Sequence, residues 1–393
     1  MLSILDLPQN VLLVILQLCK VKDLMALSTT CSLLYHLIKD QLLWKKLCFR
    51  DFHVYPEACE KASYETVYKN FLHRYGYMLG LYQSQIGPYG GLLEIRFKAG
   101  LIEGVLWEPN ADLMEPLKES TAFSIDGSKV PAKCLCIPSI FPHECSLNID
   151  KRNGTITQCC SDYKKHIQAL RDANHEGTGY SMKLIFLNDV LGSGLIHRPM
   201  ILPLPNDIPS ELKRMDGSFP RQIITPGLFK GTYSSHGIEI LLFKYKDEHE
   251  MHGLKVTGDD NVPASKISVK ILLGYPADAP LNDKNTISDL SAIEPRSRQV
   301  PLDQIPEQAF SVPAGCHVDP GIQIPSRCIA RYHGYGQIAY DGFQHPSYIP
   351  TQVIIFNNDL LGVIWMKLSA FSVFTRVDQT FTSNIIKTGE SYL

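Results

Sequence analysis

PGLFKGTYSSHGIEILLFKYKDEHEMHGLKVTGDDNVPASKISVKILL, residues 226–273, decides the fold. Apolar and β-branched runs broken by Gly, Asp, Asn and Pro clusters predict three strands: Gly237 to Tyr245, Leu254 to Thr257 and Lys266 to Leu273. A charged loop, KDEHEMHG, joins the first two. A second loop, GDDNVPA, sets two carboxylates, an amide and a proline between hydrophobic strands. Loops carried on a rigid sheet are where binding chemistry usually sits, so this loop is the first candidate for recognition; a solvated turn is the plain alternative.

Outward from there, the chain of 393 residues is 45% hydrophobic and 20% charged, enough to bury a large core in two or three domains. A formal net charge of -2 is at odds with a phosphate-binding surface, which needs clustered Lys and Arg, so nucleic acid is not an expected partner. The apolar run Val11 to Leu18 is too short to span a bilayer, and Asp6, Pro8, Gln9 and Asn10 precede it where a signal peptide carries positive charge. No membrane association is expected, and the 11 cysteines fit reduced thiols or metal ligands of a cytoplasmic or nuclear chain better than disulfides.

Residues 3–52 hold almost no glycine and repeat apolar residues at helical spacing. Leu12, Ile15, Leu16 and Cys19 mark one helix, Leu24, Leu27, Cys31 and Leu34 a second, and Leu42, Leu43 and Leu47 a third. Short helices enclose few side chains, so apolar residues should remain exposed for a partner. Leu7-Pro8 opening the first helix, Asp23-Leu24 the second, Cys31 within it, and Asp40 followed by Leu43-Trp44-Lys45 resemble the F-box pattern in order and spacing. The resemblance implies a trihelical module that binds the Skp-family adaptor of an SCF cullin-RING ubiquitin ligase. Its contact residues would be Leu7, Pro8, Leu12, Ile15, Leu16, Leu24, Leu43 and Trp44.

A bridging helix, Tyr64 to Leu79, ends at Gly87, Pro88, Gly90 and Gly91, where strands begin. Tyr89 with Glu94-Ile95 faintly echoes Tyr233 with Glu239-Ile240, each a turn before a strand bearing an outward Glu. Cys134, Cys136, His143, Cys145, Cys159, Cys160 and His166 then crowd one stretch. Thiolates with imidazoles suit a closed, structural tetrahedral zinc site, and on residue types alone zinc and a set of reduced buried thiols are equally compatible.

Asn206 to Pro226 reads as a crossing loop, and residues 275–321, rich in proline, as a long and partly mobile insertion. The stretch VIIF-NNDLLG-VIWMKL is a clear hairpin. Many antiparallel strands without βαβ spacing imply a barrel or strongly curved sheet. The expected architecture is α+β: an F-box at 1–53, a helical linker at 54–85, and a large antiparallel barrel-like domain at 86–393.

LHRYGYMLGLYQSQIGPYGGLLEI, PGLFKGTYSSHGIEI, LKVTGDDNVPA and GVIWMKLSAFSVFTRV together resemble the F-box only protein 31 family across nearly the whole chain. Residues 275–321 depart from it, since the family carries a longer insert there, and its N-terminal extension has no counterpart. The resemblance implies a non-catalytic substrate receptor whose β domain captures proteins for ubiquitination, including D-type cyclins and proteins bearing C-terminal amides. It also implies zinc held by a Cys, His, Cys, His set, matched here by Cys134, His143, Cys160 and His166, with Cys136 and Cys159 as alternates. An amide terminus is neutral and offers two N–H donors, whereas an ordinary terminus is an anion, so an acceptor carboxylate separates them. Asp259 is the candidate, with Asp260 beside it; Thr232, Tyr233, Ser235 and His236 line the same pocket if their turn faces the loop.

Two other classes compete. Catalysis has no G-x-S-x-G elbow, HExxH, P-loop or dinucleotide fingerprint behind it, and adjacent Ser235 and His236 on a strand would point to opposite faces. A barrel holding a small apolar ligand, or a scaffold carrying an F-box, is the remaining alternative; a co-purifying adaptor and an extractable ligand discriminate them.

Overall fold

The structure, a computed structural model, describes residues 4–52, 54, 63–84, 88–126, 133–136, 143–150, 155–160, 195–199, 222–278, 286–297 and 307–381. Within 133–136, 143–150, 155–160 and 195–199 the description is of strands and their pairing.

The N-terminal module has four helices: α1 Gln9–Leu18, α2 Val21–Leu27, α3 Ser32–Ile38 and α4 Gln41–Phe52. The expected second helix is split because the hydroxyls of Ser28, Thr29 and Thr30 turn back onto the carbonyls of Met25, Ala26 and Leu27 at 2.6, 2.7 and 2.7 Å. Three consecutive back-bonding hydroxyls compete with helix continuation, and the chain restarts at Ser32. Trp44 is fully buried and donates its indole N–H to the Ile38 carbonyl at 2.7 Å.

A helix α5, Tyr64–Val67, runs through a π-helical turn, Tyr68–Leu72, into His73–Tyr75. It joins the module to the β-rich part of the chain. Tyr68 meets Trp44 and Phe52 with ring centroids 5.3 Å away in both cases, and Phe71 meets Phe97 at 5.8 Å. One apolar cluster therefore runs from Leu12 and Leu16 through Leu47, Phe71 and Leu72 to Ile95 and Phe123. Gly76 belongs to this seam, since a Cβ there would collide with the Phe52 ring.

The β-rich part closes into two barrels. The first comprises β1 Gly80–Ser84, β2 Leu92–Lys98, β3 Leu101–Glu108, β4 Lys118–Asp126, β5 Lys133–Cys136, β6 His143–Asp150, β7 Thr155–Cys160 and β8 Leu195–Pro199, with β8 pairing back onto β1. The second uses β9 Gly227–Thr232, β10 Ile238–Asp247, β11 Glu250–Lys255 and β12 Ile267–Pro276. Short strands β13 Gln308–Ala309, β14 His317–Val318 and β15 Arg327–Cys328 intervene before β16 Ala330–Tyr340, β17 Gln344–Asn357, β18 Leu360–Trp365 and β19 Ala370–Arg376. Pairing of β19 with β9 closes this barrel, which removes both open edges.

The organising stretch holds four strands instead of the three expected: β9, Gly227–Thr232, precedes them, and the middle strand is displaced. The charged loop shrinks to a turn, and β11 begins at Glu250 instead of Leu254. Its alternation runs through the charges: Met251, Gly253 and Lys255 are buried while Glu250, His252 and Leu254 are half-buried. Phe229, Phe243, Met251, Tyr332, Trp365 and Phe374 fill the barrel interior. Described residues of the proline-rich stretch carry a capped helical turn, Ile287–Ser291, and cover the outer wall through Leu290 and Phe310. Glu94 and Glu239 both correct the expectation of outward glutamates: they are buried, and Glu94 accepts the Trp107 indole N–H at 3.1 Å.

Candidate functional site

At the mouth of the second barrel lies a cavity of about 570 Å³ between the β9–β10 turn, the loop after β11, the tip of the β16–β17 hairpin and the end of β18. Lys255 forms its floor, an inward lysine that is 1% exposed. Its ammonium lies 2.6 Å from Glu239 Oε2 and 2.6 Å from Asp259 Oδ2, and 4.3 Å from the Tyr233 ring centroid. Tyr233 stacks toward Trp365 and Phe374 and shares a 2.7 Å hydrogen bond with Ser268.

One cation thus serves two carboxylates, and their environments separate them. Asp259 Oδ1 accepts the backbone N–H groups of Asn261 and Val262, each at 2.7 Å. Burial works against its charge, but Lys255 and these donors outweigh burial and bring its pKa to about 2. Glu239 has no such donors: burial pushes it up to about 8, Lys255 opposes this and the Asp259 charge adds to it. The two shifts run in opposite directions, so Asp259 is the carboxylate that ionises first and pairs with Lys255, and Glu239 is the one that keeps its proton longer. Among the described residues neither Glu239 oxygen has a hydrogen bond of good geometry, and Gln337 Oε1 on the cavity wall is also a buried acceptor without a partner there.

The loop and the hairpin tip are tied together. Asp260 accepts the Gly342 N–H at 2.9 Å, and Asn261 donates to Ala339 O and Asp341 at 3.0 Å each. The first barrel supports the same loop from behind. Gln83 donates to the carbonyls of Lys255 and Val256 at 2.9 and 3.1 Å and accepts from Ser265 at 2.7 Å. Tyr89 O and Pro88 O receive the N–H groups of Gly258 and Ala264. Two of the cavity's lining residues, Ser234 and His345, are non-glycine residues with positive φ. Such strain persists where surrounding contacts over-determine it, often at binding sites.

Tyr233, Ser235, His236 and Asp259 therefore meet in one cavity, as their turn does face the loop. Asp260 instead ties the rim. Thr232 lies on the other side of the turn, where its hydroxyl accepts the Val373 N–H at 3.2 Å. Lys255 and Glu239 were missed; the usable signal is charge on the inward phase of strands that otherwise alternate.

On the helical module, Leu12, Leu16, Leu24, Leu43 and Trp44 are buried, from 0% to 3% exposed, so they build the core and do not meet a partner. Leu7 and Pro8 are exposed and Ile15 is half-buried. The exposed apolar stripe is Leu7, Val11, Val14 and Leu18, at the spacing of one helix face. It lies on the opposite phase of the same periodicity.

Strand register puts Cys134 opposite Ile125, Cys136 opposite His143, Cys145 opposite Cys160 and Cys159 opposite Ser146. His166 lies outside the described residues. Among the residues whose side chains are described, no group of three or more His, Cys, Asp or Glu is arranged to hold a metal.

A helical module with an unpaired apolar stripe, joined to barrels with a lined mouth, is the build of an F-box protein. Residues 4–50 match the F-box-like family, and residues 212–380, which contain the second barrel, match the Cyclin D1 binding domain. The chain is 27% identical over 441 residues to F-box only protein 31 of Rattus norvegicus, covering 96% of this chain and 85% of that protein. Identity to F-box only protein 31 of Homo sapiens is 26% over 459 residues, covering 96% and 84%. For F-box only protein 31-A of Xenopus laevis it is 26% over 453 residues, covering 96% and 85%. An F-box-like region followed by a Cyclin D1 binding domain, with this similarity running over 96% of the chain, makes F-box only protein 31 the protein it resembles along its whole length.

Proposed function

We propose that this chain is the non-catalytic substrate receptor of an SCF ubiquitin ligase, working in the cytoplasm or nucleus, and that the second barrel's mouth captures client proteins by their C-terminal ends. The Leu7, Val11, Val14 and Leu18 stripe docks the Skp-family adaptor, which links to the cullin. Clients include D-type cyclins, in keeping with the domain match at 212–380.

One observation carries the capture reading: a half-open mouth whose floor is the Lys255–Asp259 ion pair and whose wall holds Gln337 Oε1, an acceptor without a partner among the described residues. Acceptors in excess favour a ligand rich in donors, and a terminal carboxamide has two N–H bonds and no charge. A carboxylate end meets Asp259 and Gln337 Oε1 as acceptor against acceptor, while Lys255 is already engaged on both sides. A filled second-barrel interior speaks against the alternative of a small ligand held inside that barrel.

The test is a pair of peptides identical except for amide or acid ends. Wild type should bind the amide about tenfold or more tightly, and Asp259→Asn should erase that preference. Val14→Asp with Leu18→Asp should abolish adaptor and cullin co-purification while leaving peptide affinity unchanged. Equal binding of both peptides by wild type defeats the capture reading; cullin association that survives the double substitution defeats the docking one.

A second reading concerns zinc. What supports it is the register that brings Cys136 opposite His143 and Cys145 opposite Cys160 on three neighbouring strands, a thiolate-imidazole donor set suited to that ion. The ligands this reading names are Cys134, His143, Cys160 and His166, with Cys136 and Cys159 as alternates. Bound zinc would be structural. Metal analysis of chelator-free protein should find one zinc per chain; none, at undiminished stability, removes this reading.

A further inference from the structure

A second cavity, of about 830 Å³, lies on the other side of the β9–β10 turn. Its walls come from three places: the outer seam of the second barrel at Ile238, Val373 and Thr375, the Asp319–Gln323 segment, and the Ala111–Met114 loop of the first barrel. Ser234, held at a φ of 51°, lines both cavities. Among the described residues it is the one that lines both.

Two features mark this cavity as built to receive something. The Thr375 hydroxyl is buried, in a residue 9% exposed, and has no hydrogen-bond partner. Met114, at the rim, is 77% exposed although apolar, and stands beside the apolar walls of Leu113, Ile322 and Leu360. Charge narrows the choice further. Asp112 and Asp319 line the cavity and no described Lys or Arg does; Lys230 acts on Asp112 and His317 lies 3.7 Å from Asp319, so the acidic side of the space is chiefly Asp319, where a cation is favoured.

We infer that this cavity holds the client polypeptide immediately upstream of the end captured in the mouth. The inference rests on the capture reading: a chain whose last residue is enclosed has to leave the mouth, and Ser234 is the lip across which a neighbouring space opens. The segment crosses in extended form, donates or accepts a hydrogen bond at Thr375, sets an apolar side chain among Leu113, Met114 and Ile322, and places a basic residue near Asp319. Clients with an apolar and a basic residue just before the terminus are therefore the preferred class. Because the Ala111–Met114 loop belongs to the first barrel, such a client bridges both barrels.

The experiment uses the full chain and two fluorescent peptides with the same amidated end, one of about four residues and one of about ten, the longer having Leu and Lys upstream; at about 3.3 Å per residue only the longer reaches past Ser234. The longer peptide should bind about tenfold more tightly to wild type. Met114→Glu, a substitution on the surface, and Thr375→Val should each reduce that advantage to less than about twofold while leaving the short peptide unchanged. Replacing the upstream Lys by Glu should weaken the long peptide only. If wild type binds both peptides equally, or if both variants keep the full length advantage, the inference is overturned while the capture reading stands. If wild type binds neither peptide, both fall together.

Discussion

The two barrels share strand number and antiparallel closure, yet their interiors are put to different use. In the first, apolar residues such as Ile95, Phe97 and Phe123 merge with Phe71, Tyr68 and Trp44 of the helices, so one core serves barrel and module alike. In the second, the interior is closed by its own aromatic side chains, and only its upper layer is polar, where Lys255, Glu239 and Asp259 stand at the mouth. A closed sheet is thus a container whose ends decide its role: an end sealed by a helix becomes a structural joint, while an end left to loops becomes a recognition surface.

Breaking that contrast most sharply means cutting the joint. Phe71→Ala should cost about 3–5 kcal/mol and lower the melting transition of the module and the first barrel together. Peptide binding at the mouth should persist at temperatures just below that transition. Separate transitions for module and first barrel, read by hydrogen exchange, would show that the shared core does not couple them.

Glu239 tests the polar layer. Its folded pKa is raised, so the folded state holds a proton that the unfolded chain releases once the pH passes the ordinary glutamate value. Its stabilising contribution is therefore complete below pH of about 4.5 and is lost as pH rises toward about 8. Glu239→Gln cannot release that proton. Relative to wild type the variant should gain stability through this window by at most about 1.4 kcal/mol per pH unit, then level off. Chemical denaturation at several pH values checks this, and a constant difference contradicts it.

The smallest expected effect sharpens the contact between the barrels. Gln83→Leu leaves the carbonyls of Lys255 and Val256 and the Ser265 hydroxyl without their partner, at a cost of about 1–3 kcal/mol. Preference for amide over acid peptides should fall with it, while adaptor binding holds. An unchanged preference would mean the first barrel supports the loop without shaping recognition.

Much of this fold was legible because period two and period 3.6 are written in apolar residues. The helical module, the strands between Gly237 and Leu273 and the hairpin at Val353 to Trp365 all derive from them, whereas β9 at Gly227–Thr232 was not read as a strand. What periodicity conceals is which face of a pattern meets a partner. Leu12 and Leu16 are interleaved on α1 with Val11, Val14 and Leu18, which continue the stripe begun by Leu7 just before the helix, and only packing assigns the first pair to the core. Asp259 was legible through its loop, but Lys255 and Glu239 were not, since a charged residue on an inward phase reads like an error until the partner from another strand is seen. Nor could spacing reveal closure: β8 meeting β1 and β19 meeting β9 are contacts across more than a hundred residues.

The merged core of helices and first barrel also bears on where a client is modified. Stiffness between the Leu7–Leu18 stripe and the first barrel, with Gln83 bracing the Asp259 loop, makes the receptor a fixed arm instead of a tether. On the capture reading proposed above, variation in which client lysine comes within range would arise from the client itself, through the slack between its folded body and its held end.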